Sequence, residues 1–176
     1  MKKRLLSLAL AFVLAFSLLP TAAWAAGTPQ KITTTTEFAD MEQAGNYILM
    51  ADITIEAPYG SQTKKFTGTF DGNGHTITLN IGTDAAPASA TYQAAFAYCN
   101  NATISNLTVA GNMYVSMAYA AGIAAKADNS TFQNCGANVT IVSKGSNLKQ
   151  LGGIVGEVNN CQIKNCWSTC SITGSI

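Results

Sequence analysis

Arginine is nearly missing from this chain. Arg4 is the only one in 176 residues, and charged residues of all kinds make up 11%. Nucleic-acid recognition needs clustered lysine and arginine against phosphate, which this composition does not supply. The same shortage removes a polybasic patch for anionic lipid. Histidine occurs once, as His75. A lone ring excludes a His-rich metal site, and acid–base work would need a carboxylate or nucleophile brought beside it. Cysteine occurs five times, so the thiols cannot all pair within one chain. Cys161, Cys166 and Cys170 lack the short paired spacing of structural zinc sites. No metal, cofactor or catalytic constellation is expected.

Long apolar runs are also missing, with one exception. Leu5 to Leu19 is free of charge, follows Lys2, Lys3 and Arg4, is broken by Pro20, and leads to Ala23-Trp24-Ala25. A basic start, an apolar run and small residues for cleavage predict a secretory signal peptide over residues 1–25. The run is too short to span a bilayer comfortably. Its removal takes three positive charges away, so the formal net charge of +1 becomes −2 and no arginine remains. The chain is expected outside the cell, secreted or surface-associated. The Met-Lys-Lys-Arg opening suggests a bacterial host, and after cleavage nothing should hold the chain in a membrane as an integral protein.

What is plentiful is threonine, asparagine, serine, glycine and alanine, the makeup of a turn-rich β protein. The chain also repeats. Gly153, Ile154, Ile163, Asn165, Cys166 and Ile172 fall 31 positions after Gly122, Ile123, Phe132, Asn134, Cys135 and Ile141, without a gap. A fixed offset of this size is the signature of a solenoid. An earlier copy sets Phe96 on Ile123 at an offset of 27, and Asn106 and Leu107 on Asn134 and Cys135 at 28, so its turn should be one residue shorter. Copies are expected near 95–115, 122–142 and 153–173.

Alternation within a copy locates its corners. Ile154, Gly156 and Val158 share one parity, Cys161 and Ile163 the other, and Cys166, Ser168, Cys170 and Ile172 return to the first. Strand faces alternate with period two, so each switch marks a bend. The bends fall at Asn159-Asn160 and Asn165, a residue type that tolerates left-handed backbone. Three short strands, two asparagine bends and a looser third connection make one triangular coil.

The N-terminal part is less regular. Thr36 to Glu42 predicts a short helix with Thr36 as N-cap and Phe38 and Met41 on one face. Tyr47 to Ile55 predicts a strand. Asp71-Gly72 and Asn73-Gly74 are consecutive turn signals, followed by a strand with Ile77, Leu79 and Ile81 on one face. Residues 82–94 should form a loop projecting between coils. The expected organisation is a signal peptide (1–25), an N-terminal cap of short helix plus strand (26–60), and a parallel β-helix (61–176) that is incomplete at its C-terminus.

Gly153-Ile154-Val155-Gly156, followed by Ile163-x-Asn165-Cys166, resembles the GLUG motif of bacterial exported and surface proteins. Phe70-Asp-Gly-Asn-Gly-His-Thr-Ile77 resembles the opening rungs of pectate-lyase-like right-handed β-helices. Together the resemblance covers roughly residues 66–176. It implies a right-handed parallel β-helix with coils of about 27–31 residues. That superfamily holds polysaccharide lyases and hydrolases, phage tailspikes and non-catalytic adhesins. Its lyases place a basic residue near an acidic calcium site, and its hydrolases converge several aspartates on neighbouring coils. This chain has no arginine after Arg4 and no acids aligned on successive coils. Asp128 stacks on Asn159, and Lys126 on Glu157, the latter an exposed cross-coil ion pair worth ~0–1 kcal/mol.

A few positions stand out within this frame. Asn106, Asn134 and Asn165 occupy equivalent bends and predict an asparagine ladder, amide to amide from coil to coil. Cys135 and Cys166 are stacked equivalents about 4.8 Å apart by strand spacing, the one pair close enough for a disulfide. The alternative is that cysteine fills small inward positions as free thiol. Cys166 and Cys170 lie about 13 Å apart along one strand, too far to bridge. Trp167 should point outward with Gly136 as its stacked neighbour, leaving room for the indole to lie flat, either as a sugar-stacking face or as a cover for the rung below. Tyr92, Tyr98, Tyr114 and Tyr119 are further aromatic candidates. His75 has Asp71 near it in sequence but across a turn. The sequons at Asn101, Asn106, Asn129 and Asn138 are chance matches in a bacterial chain.

The chain stops at Ser175-Ile176, in mid-coil by the repeat register, with no cap in view. A bare solenoid end exposes strand edges. The expectation is therefore the N-terminal part of a longer surface protein, or a partner or second copy at that end. The functional expectation is a secreted, adhesin-like, non-enzymatic module that binds a glycan or protein along its side wall. A polysaccharide lyase or glycoside hydrolase, and a structural spacer, are the alternatives.

Overall fold

The computed structural model describes residues 27–174. The expected leader, residues 1–25, lies outside them. The elements follow the chain around a coil. A lead-in carries β1 (Gln30–Ile32) and one helical turn, α1 (Thr35–Ala39). Then come β2 (Asn46–Leu49) and β3 (Ile53–Ile55), and β4 (Thr69–Asp71) and β5 (Thr76–Ile81). The next coil has β6 (Tyr92–Gln93), β7 (Phe96–Asn100), β8 (Thr103–Ser105) and β9 (Thr108–Ala121). It is followed by β10 (Ala124–Asp128), β11 (Thr131–Gln133) and β12 (Gly136–Gly152). The last described coil has β13 (Val155–Asn159), β14 (Gln162–Lys164), β15 (Trp167–Ser168) and β16 (Ser171–Gly174).

These strands form three sheets, each ordered as the chain is ordered. One runs β1-β2-β4-β8-β11-β14, a second β7-β10-β13, and the third β3-β5-β9-β12-β15, with β6 on β9 and β16 on β12. All pairings between named strands are parallel. A parallel pair whose members lie one coil apart in sequence is what winding produces, because each strand meets its own successor. The fold is an all-β parallel solenoid with almost no helix.

The interior is filled by columns of like residues. Tyr47, Phe70, Ile104, Phe132 and Ile163 stack along the first sheet, and Ile81, Met113, Ile141 and Ile172 along the third. Phe132 is fully buried, and such burial is worth about 2–3 kcal/mol. Near the N-terminal end the filling is aromatic. Phe38 of α1 lies 5.4 Å from Phe96, 5.8 Å from Phe70 and 5.9 Å from Tyr59, all edge-on.

The corners are made by asparagine. Among the described residues, seven other than glycine have positive φ, all asparagines at 48–54°: Asn73, Asn101, Asn106, Asn129, Asn134, Asn160 and Asn165. Asparagine tolerates this backbone because its short amide bonds locally. A β-branched residue would be strained at such φ.

Several boundaries differ from the sequence expectation. The helix begins after Thr34, not Thr36, because Thr34 and Glu37 form a reciprocal capping box, and it ends at Ala39. The expected strand from Tyr47 to Ile55 is two strands separated by a corner at Met50–Asp52. The looser third connection is not a loop in two coils, since β9 and β12 run on for 14 and 17 residues. The 82–94 segment rejoins the third sheet, with Ala88 bridging Val115 and Tyr92 pairing Tyr119. Phe96 pairs Ala124 rather than Ile123, so the offset is 28 from there through the Thr108–Gly136 pair and no turn is shortened. The three extra residues of the following coil enter at irregularities between Ser143 and Gln150. Alternation also breaks where β10 leaves its bend, since Ile123, Ala124 and Ala127 all join the core.

Candidate functional site

The third sheet presents a continuous outer wall. Asn80, Asn112, Thr140 and Ser171 form one outward column, and Thr54, Thr78, Ala110 and Asn138 another. Their alternates, Ile77, Leu79, Val109 and Val139, are buried, which is what turns amides and hydroxyls to solvent. Neither column contains a charge; farther along β12 on the same face, Lys144 carries one and pairs with Asp84.

Trp167 sits at the edge of this wall, half exposed and paired with Gly136. A Cβ on Gly136 would lie 2.2 Å from the indole Cζ2, so the ring rests on the glycine backbone. Its outward placement leaves one indole face available for stacking.

A second aromatic group lies where β6, β7 and β9 meet. Tyr92 stacks on Tyr119 with centroids 5.0 Å apart and planes at 29°, and lies 6.0 Å from Tyr98. The Tyr98 hydroxyl donates to the Asp128 carboxylate one coil on. Lys65 stands 4.4 Å and Lys126 5.6 Å from the centre of the Tyr98 ring. Burial, with the bond to Asp128 adding to it, pushes the Tyr98 phenol up to about 12. Lys126 also pairs with Glu157 across the coil boundary. That pair was expected to be exposed. Its side chains are 21% and 25% accessible, because Tyr98 crowds the ammonium from the N-terminal side. Tyr114 lies on β9 and forms no part of this group.

Beside Tyr92 is a cleft of about 340 Å³ lined by Pro58, Gly60, Ser61, Gln62, Ala90, Thr91, Tyr92 and Ala97. Its near rim is a self-bonded turn. Ser61 donates its N–H to Lys64 O, and its Oγ accepts from the N–H groups of Thr63 and Lys64. Gly60 makes the turn at φ +82°, with Lys64 O only 2.4 Å from where a Cβ would be. On the far rim, buried Gln93 donates Nε2 to Ala90 O at 3.1 Å.

The corner asparagines align into two columns. Asn165 donates to Asn134 at 3.3 Å, Asn134 to Asn106 at 3.1 Å, and Asn106 to the Asp71 carboxylate at 3.0 Å. At the other corner Asn160 donates to Asn129 at 2.8 Å. Every amide donates toward the N-terminus. Asn101 stands next to Asn129 in this second column, since Asn100 pairs Asp128. Sequence reasoning took Asn101 and Asn129 only as sequons. The signal for the column was present in Asn160, already placed at a bend, 31 positions after Asn129.

All five cysteines are free thiols. The Cys135–Cys166 bridge left open by the sequence is not formed. Each thiol instead donates to the carbonyl two residues back, Cys135 to Gln133 O at 3.2 Å and Cys166 to Lys164 O at 3.3 Å. That rotamer follows from the asparagine corner before each cysteine, which turns the preceding carbonyl toward the sulfur. Burial pushes the Cys135 thiol up to about 11 and raises Cys99 further.

His75 does not meet Asp71. Its Nδ1 lies 3.1 Å from Asp52 Oδ1 on the preceding coil, and the same oxygen accepts from Thr76 N–H at 2.8 Å. The Thr76 bond first, then the His75 contact, holds the Asp52 carboxyl below its ordinary range. Asp71 accepts from Asn73 N–H and Asn106 Nδ2, a corner-holding role. No cluster of three or more metal-ligating side chains occurs among the described residues. Nor is any helix there long and apolar enough to cross a membrane.

These features define a parallel β-solenoid with a polar side wall and an aromatic-edged cleft. No family model, curated protein or solved structure matches the chain.

Proposed function

We propose that the chain is a secreted, adhesin-like bacterial surface module of the GLUG-motif kind. In this reading it is a right-handed β-helix capped by α1 that binds a glycan or protein on its side wall without catalysis. The observation that carries the reading is the uncharged column of this wall, where Asn80, Asn112, Thr140 and Ser171 stack at strand spacing, on the same sheet as half-exposed Trp167. A rigid row of amides and hydroxyls on a solenoid suits an extended polar ligand. The leader read over residues 1–25 supports an extracellular setting.

The last described coil carries exposed apolar residues. Its Val158, Ile163 and Ile172 are 53%, 47% and 43% exposed, although their stacked equivalents Ala127, Phe132 and Ile141 are buried.

The test is retention. Purified residues 26–176 are immobilised and challenged with a glycan panel and with surface proteins, beside an Asn112→Lys, Thr140→Lys double variant. Retention by the parent and loss by the variant supports the reading. Parent and variant both failing to retain anything favours a spacer. Unsaturated uronide or reducing-end release by the parent, lost in Asp52→Asn or His75→Ala, replaces the reading with catalysis.

A further inference from the structure

We propose that the cleft between Pro58–Gln62 and Ala90–Tyr92 is a binding site for one neutral pyranose unit, with the sugar ring stacked on Tyr92. The proposal rests on the side-wall binding reading and names a ligand class and a place for it.

The ring is positioned for one open face. Tyr92 pairs Tyr119, and Tyr119 pairs Gln150 in the next coil, so the stacked partner lies toward the C-terminus. The turn holding Ser61 and Gln62 belongs to the coil before, so the cleft opens on the other side of the ring. A tyrosine backed by a second tyrosine loses little freedom when a ligand settles on it, because the ring is already held. The C–H face of a pyranose is apolar and flat enough to occupy such a slot.

The lining decides the charge of the ligand. None of the eight lining residues is charged. The lysines around it are engaged elsewhere, Lys64 of the rim turn over the Tyr59 ring, Lys65 over the Tyr98 ring and Lys126 with Glu157. An acidic sugar would give up hydration without a counter-charge, which is costly. A neutral one finds hydrogen-bonding groups on three lining residues besides Tyr92: Ser61, Gln62 and Thr91, all exposed at the rims. The cleft is at the small end of ligand sites, which fits one ring of a longer glycan rather than a buried oligosaccharide. The bonded turn at Gly60–Lys64 and the Gln93–Ala90 bond hold both rims in place. A larger gap of about 510 Å³ lies between α1 and β3, but Phe38, Ile55 and Tyr59 in its lining are already buried core, so it offers no free aromatic face.

The experiment is saturation-transfer NMR and calorimetry on residues 26–176. The probes are the methyl glycosides of glucose, galactose and mannose, with methyl glucuronide as the charged comparison. At least one neutral glycoside binds, and Tyr92→Ala weakens it by about three- to tenfold while Tyr92→Phe does not. Gln62→Ala, on an exposed turn, weakens it without a change in unfolding midpoint, so the proposal does not depend on the tyrosine variant folding. Trp167→Ala leaves it unchanged. Preference for the glucuronide, or loss in Trp167→Ala with Tyr92→Ala unaffected, overturns the proposal. If no glycoside binds but the module still retains a glycan or protein, the cleft assignment fails and the wall reading stands. If nothing is retained by any means, both fail.

Discussion

Asn106 donates its side-chain amide to the carboxylate of Asp71, and so joins a corner of one coil to the turn of the coil before it. The bond is the head of a column that continues through Asn134 to Asn165, each amide donating backward. A carboxylate at the head accepts from two donors, Asn106 Nδ2 and Asn73 N–H, and needs none of its own. The column therefore ties together four successive coils.

Removing the middle of the column separates its two contributions. Asn134→Ala loses the bonds to Asn106 and Asn165 and puts alanine at φ 54°, for an expected loss of about 2 kcal/mol. Asn134→Gly loses the same bonds but accepts the backbone freely, so about 1 kcal/mol is expected. Urea unfolding of both variants checks the order. Equal losses would mean that the left-handed backbone of the corner costs alanine nothing beyond the lost amide bonds.

Thiol reactivity should divide the cysteines by coil. Cys99 and Cys135 are fully buried with raised thiols, whereas Cys161, Cys166 and Cys170 are partly exposed. Iodoacetamide at pH 8 is expected to label the last three in native protein. In denaturant without reductant, all five should react. Three adducts in denaturant would reveal a disulfide, with Cys135–Cys166 the pair to examine first.

The Asp52 carboxyl predicts an acid-side dependence. Its folded pKa lies below the ordinary 3.8, so the stability it contributes is present above that value and is lost as pH falls through the folded one. Asp52→Asn is expected to flatten the stability profile below about pH 4 relative to the parent. Thermal midpoints from pH 2 to 7 measure this, and parallel profiles would show that the Thr76 and His75 contacts are not held in solution.

How much of this was legible in the sequence depended on the offset between coils. Phe132 over Ile163 and Gly136 under Trp167 could be paired by eye because 31 positions separate each member from the next without a gap. Asp52 and His75 could not, because they lie on the irregular early coils, where Asn46 pairs Thr69 and Thr69 pairs Thr103. Without a repeated offset no arithmetic brings those side chains together. The tyrosine cluster was missed for a related reason. Tyr92 precedes its copy, Tyr119 follows the regular part of the next strand, and the residues between them include the turn that rejoins the sheet. The asparagine corners were legible since parity changes there. The backward direction of their amides was not, because the direction is set by side-chain geometry and not by residue order.

Trp167 and Gly136 offer the sharpest local test. The indole rests where a Cβ at position 136 would be, 2.2 Å from Cζ2. Since the ring is half exposed, it can swing away, so Gly136→Ala is expected to cost no more than about 1 kcal/mol. The displacement itself should be visible. Trp24 belongs to the leader segment, so in residues 26–176 the fluorescence comes from Trp167 alone among tryptophans. Gly136→Ala should shift its emission to the red and raise its quenching by acrylamide, because the lower face of the ring gains water. Unchanged emission would place the indole off the glycine in solution. Then the edge of the wall would present a mobile tryptophan, and stacking by a ligand would have to immobilise it at an added entropic cost.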